Sequence, residues 1–99
     1  MSNGNVLEAI EVQKESISDF SFPKTEVLSS ASGRMERSWN LHRATSLGNL
    51  EKQKVRITFE NSHGLKVVHT TIWAVTQGEI LLKAGRSIPL HRIHDVRIL

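Results

Sequence analysis

The stretch that decides the fold is Val55-Arg56-Ile57-Thr58-Phe59-Glu60-Asn61-Ser62-His63-Gly64-Leu65-Lys66-Val67-Val68-His69-Thr70-Thr71-Ile72-Trp73-Ala74-Val75. Its first six residues alternate: Val55, Ile57 and Phe59 against Arg56, Thr58 and Glu60. A period of two is the signature of an antiparallel strand with one face buried and one face wet. Asn61-Ser62-His63-Gly64 is turn chemistry. Leu65 to Val75 then reads as one long strand rich in β-branched residues, with Val67, Val68, Thr70, Thr71, Ile72 and Val75. Apolar side chains fall on both of its faces, so the strand is central or strongly bent. Phe59 is in phase with the buried set. Trp73 shares a strand face with Val67 and Val75 and is assigned to the core.

Downstream, Gln77-Gly78 turns the chain, Ile80-Leu81-Leu82 forms a third strand, and Ala84-Gly85 is a tight turn. Arg86 to Leu90 is a fourth strand. Pro89 has no backbone donor and belongs at an edge or a strand end. His91 to His94 makes one helical turn, and Asp95 to Leu99 a fifth strand with Val96 and Ile98 facing inward.

Upstream, residues 34–47 read as a short helix. Met35 and Trp39 are four apart, Leu41 and Ala44 three apart, and Gly48-Asn49 is a stop signal. Trp39 is read as stapling this helix onto the body, with an exposed ring as the alternative. Residues 1–33 form an acidic leader and linker, with weak patterning up to Ile10 and linker composition at Ser29-Ser30-Ala31-Ser32-Gly33. The expected architecture is therefore mostly β: a small five-stranded barrel, one short N-terminal helix, and a disordered leader. The domain runs over residues 34–99.

Five short strands with a helical turn before the last resemble the SH3-like and Sm-like barrels, over residues 53–99. The segment Ile88-Pro89-Leu90-His91-Arg92-Ile93-His94-Asp95-Val96 is similar to the strand–turn–strand end of such barrels. It also resembles an Ile-Pro-x-His-Arg-Ile block of small uncharacterised proteins. The Sm-like resemblance implies RNA binding. The sequence departs from that family's polar loop, reading Thr76-Gln77-Gly78-Glu79, and it carries Gly85-Arg86 where the family has arginine before glycine.

Composition narrows the function classes. The 99 residues are 38% hydrophobic and 23% charged, with a mean hydropathy of −0.26. No apolar run approaches a membrane span, and the N-terminus has no basic start followed by an apolar block, so a cytoplasmic, membrane-free protein is expected. The chain has no cysteine, which removes disulfides, thiolate nucleophiles and cysteine-bound metal. Thirteen basic against ten acidic side chains give a net charge of +3, unevenly spread. Residues 1–26 hold two lysines and five carboxylates, whereas residues 50–99 hold eight basic and four acidic groups.

The chemistry-bearing side chains are few. His91 and His94 are three apart, a spacing that suits two ligands of a metal site. His69 would be the distant third, but no supporting motif frames them, and no metal or cofactor is expected. Ser87, His91 and Asp95 compose a triad only on paper, with no nucleophile elbow, so the chain is expected not to be an enzyme. The basic residues are the most informative: Lys54, Arg56, Lys83, Arg86 and Arg92 are the candidate nucleic-acid-binding set, because lysine and arginine neutralise phosphates. The partner expected on this reading is single-stranded nucleic acid. The competing reading is a protein-interaction or homodimerisation module that uses a barrel strand edge.

Overall fold

The computed structural model describes residues 9–51 and 54–99. Strands β1 (Ile10–Glu11), β2 (Val55–Asn61), β3 (Gly64–Thr70) and β7 (Ile93–Ile98) form one sheet, in the order β1-β3-β2-β7. Strands β4 (Ile72–Val75), β5 (Glu79–Leu82) and β6 (Ser87–Pro89) form a second sheet in that order. Helix α1 (Ala31–Glu51) packs against β4 and β7. Single 3-10 turns occupy Lys83–Gly85 and Leu90–Arg92, and a longer one Lys14–Asp19.

The alternation of β2 does what its pattern demands. Val55, Ile57 and Phe59 are fully buried and Arg56 is exposed. Asn61 pairs with Gly64 across a two-residue loop. The Asn61 side-chain carbonyl accepts the His63 amide at 2.8 Å, and Gly64 takes φ 128°, a conformation only glycine adopts without strain. The core lies between the sheets: Phe59, Ile57, Ile72, Ile80, Leu82, Ile88 and Ile93 are fully buried, with Leu41 and Ala44 of α1 closing it.

Three features differ from the barrel expected. Among the described residues the architecture is mixed α/β, with seven strands in two sheets, one long helix and no closed barrel. The five-stranded SH3-like or Sm-like barrel with a short helix is corrected on that finding. First, the long strand breaks at Thr71. β3 stays with β2, while β4 leaves for the second sheet, with a register shift between Ile72 and Ala74. Apolar residues on both faces marked a bend, and the bend became a division.

Second, α1 begins at the supposed linker. The Ser30 hydroxyl accepts the Gly33 amide at 3.0 Å, the N-cap bond that serine is suited to make. A Cβ on Gly33 would lie 2.9 Å from that oxygen, so the small residue keeps the cap open. The helix also runs through Gly48-Asn49 to Glu51.

Third, the expected disordered leader is part of the fold from residue 9 onward; residues 1–8 lie outside the described residues. β1 pairs in parallel with β3, and the Val12 amide donates to the Val67 carbonyl at 2.9 Å. Ile17 is buried in the core, and Phe20 and Phe22 pack on Phe59 with ring centroids 6.2 and 6.1 Å from its own. Glu26 forms a two-point pair with the buried Arg37 of α1 at 2.7 and 2.8 Å. Arg37 also donates to the Ile93 carbonyl at 3.0 Å, so one guanidinium ties leader, helix and first sheet together.

Candidate nucleic-acid interface

The outer face of the first sheet is built by the strand period. Arg56 alternates with the buried Val55 and Ile57, and Arg97 flanks the buried Val96, so both project to solvent. Arg56 stands opposite Arg97 on one side and opposite His69 on the other. Lys54, one pleat before Arg56, is exposed on the same face, and its carbonyl accepts the Leu99 amide at 3.1 Å.

Among the described residues two carboxylates pair with members of this row. Asp95 accepts from Arg97 Nε at 2.9 Å, and Glu11 meets His69 Nδ1 at 3.3 Å. Two arginines directly opposite on neighbouring strands repel one another. Packing does not require that arrangement, and an anion laid across it would relieve the repulsion.

Beyond the break at Thr71 the chain passes into the second sheet. Val55 faces Thr70, so Lys54 stands beside Thr71. The exposed Lys83 donates its backbone amide to the Thr71 carbonyl at 3.0 Å. Trp73, two residues further on, is 53% exposed. Its expected core position is corrected: Ile72 beside it is the buried residue, in phase with Val68 and Thr70, and Trp73 falls on the exposed phase with His69.

The five cations expected to form the site do not stay together. Lys54, Arg56 and Lys83 are exposed. Arg86 is half-buried beside the Lys14–Asp19 turn, donating to the Ala84 carbonyl at 3.2 Å. Among the described residues its buried Nε has no partner. Arg92 is buried at 4% exposure. It donates to the Glu60 carbonyl at 3.0 Å and to the Thr25 carbonyl at 2.8 Å, and it pairs with the Glu60 carboxylate at 3.5 Å. That side chain is a structural stitch and is not available to a phosphate. Sequence reasoning passed over Arg97 as a contact, although the inward phase of Val96 and Ile98 already sent it outward.

The two closely spaced histidines diverge. His91 Nε2 donates to the Pro23 carbonyl at 3.0 Å, while His94 Nε2 meets Glu60 at 2.9 Å. Each ring has its own structural partner. Among the described residues no group of three or more histidines and carboxylates is placed to hold a metal ion, and no helix is long and apolar enough to cross a membrane. Comparison with known proteins finds no similarity: no family model, curated protein or solved structure matches this chain.

Proposed function

We propose that the chain is a non-enzymatic cytoplasmic binding domain that takes single-stranded nucleic acid, RNA foremost, across the outer faces of its sheets. Arg56, Arg97, Lys54 and Lys83 contact phosphates, and Trp73 offers a ring on which a base can stack. The observation that carries the reading is Arg56 beside Arg97, both exposed and in register on neighbouring strands. An exposed tryptophan beyond the same cations adds the aromatic element that single-strand binders use.

The strand-edge reading has less support. β1 covers one edge of β3, α1 packs on β4 and β7, and β6 ends at Pro89 against the Lys14–Asp19 turn. These are ways of protecting an edge from further pairing. Titration of labelled single-stranded RNA at rising salt tests the proposal. Four phosphate contacts give affinity falling about 50-fold between 50 and 200 mM salt. Salt-independent binding, or none at low salt, would refute it.

A further inference from the structure

Helix α1 carries a second stripe that its own fold leaves bare. Arg37, Leu41 and Ala44 are buried against the sheets. Met35, Trp39, His42 and Ser46, spaced four, three and four, fall within about 60° of arc on roughly the opposite side. Met35 is 73% and Trp39 63% exposed, and the Trp39 and His42 rings lie 6.4 Å apart. Spacing of this kind is the seam of a two-helix coiled coil. One flank of the seam carries Glu36 and Arg43, seven residues apart. Among the described residues neither has a hydrogen-bonding or ionic partner.

From this pattern we infer that the face is a self-association surface, on which α1 of a second copy packs antiparallel. A two-fold axis between residues 40 and 41 brings Trp39 onto His42 of the other copy and Met35 onto its Ser46. The same axis brings Glu36 to Arg43 of the other copy, and Arg43 to its Glu36. The contact is isologous and closed, so it yields a dimer and no higher chain. A parallel pair would set Glu36 and Arg43 against Ala31 and Ser38 and leave both charges unmatched. From Met35 to Ser46 the surface is one helix wide and about 17 Å long, at the small end of specific interfaces, so the dimer is a micromolar-range one. It uses none of the cations of the proposed nucleic-acid face.

Sedimentation equilibrium of the full chain, from low to high micromolar, tests this. The expected result is a monomer–dimer equilibrium that Trp39→Ala abolishes over that range. Glu36→Arg alone or Arg43→Glu alone raises the dissociation constant about tenfold, because each turns two attractive pairs into two repulsive ones. Combining the two exchanges restores the wild-type value to within about threefold. All three side chains are exposed, and far-UV circular dichroism checks that each variant stays helical. A chain monomeric throughout overturns the inference. So does a dimer indifferent to Trp39→Ala, or a double exchange that fails to recover.

Discussion

Replacing Glu26 by glutamine keeps the shape of the side chain and removes its charge. In the fold, hydrogen bonds from Arg37 hold the Glu26 carboxyl at about 2, against an ordinary 4.5, with the Leu28 amide helping and partial burial opposing. That difference is worth about 3 kcal/mol at about 1.4 kcal/mol per tenfold change in proton affinity. The Glu26 side chain is 30% exposed, and solvent screening lowers the figure to about 1–2 kcal/mol. The folded value lies below the unfolded one, so this stability is present in full above pH 4.5. It drains away as pH falls from there toward 2. Urea unfolding of wild type and Glu26→Gln should differ by about 1–2 kcal/mol at pH 7, and the gap should close as pH approaches 2. A glutamine variant as stable as wild type at pH 7, or a gap that stays constant across the acid range, would refute the clasp between leader and helix.

Further consequences follow from the packing. Ile17→Ala should cost about 2–4 kcal/mol in urea unfolding, the value of a core residue; a loss under half a kcal/mol would mean that the leader is not part of the core. Ala84 holds φ 70° in the turn between β5 and β6, a left-handed conformation that costs an alanine about 1–2 kcal/mol. Ala84→Gly should therefore raise stability by about 0.5 kcal/mol after the added freedom of the unfolded chain is subtracted, and a lower denaturation midpoint would contradict the turn geometry. Arg92→Ala should destabilise by about 2–4 kcal/mol, because it orphans the Glu60 and Thr25 carbonyls. Where the variant is folded, its nucleic-acid affinity should stay within about twofold of wild type, since no phosphate contact is lost.

What could be read from the sequence was local. The alternation of Val55, Ile57 and Phe59, the Asn61–Gly64 turn, the strand-end position of Pro89 and the helical turn ahead of β7 all follow from short-range periodicity and turn chemistry. What could not be read was set by contacts distant in sequence. β1 is two residues long and exists because β3 offers it an edge. Ile17, Phe20 and Phe22 carry no helical or strand period, yet they complete the core around Phe59. Gly48 reads as a stop, but α1 continues through it.

The candidate site divides along the same line. Arg56 was legible, because its two flanking neighbours are buried. Trp73 was not, because apolar side chains fall on both faces of that stretch and its period alone did not say which face is buried, and Arg92 was not, because its partners Thr25 and Glu60 lie 67 and 32 residues away.

The most direct test of the central claim is the salt dependence of single-stranded RNA binding by wild type and by the Arg56→Ala/Arg97→Ala variant, measured by fluorescence anisotropy. The account predicts a log–log slope of about −3 for wild type, and one about 1.4 shallower for the variant, as two phosphate contacts are lost. No binding at low salt, or the same slope in both proteins, would contradict it.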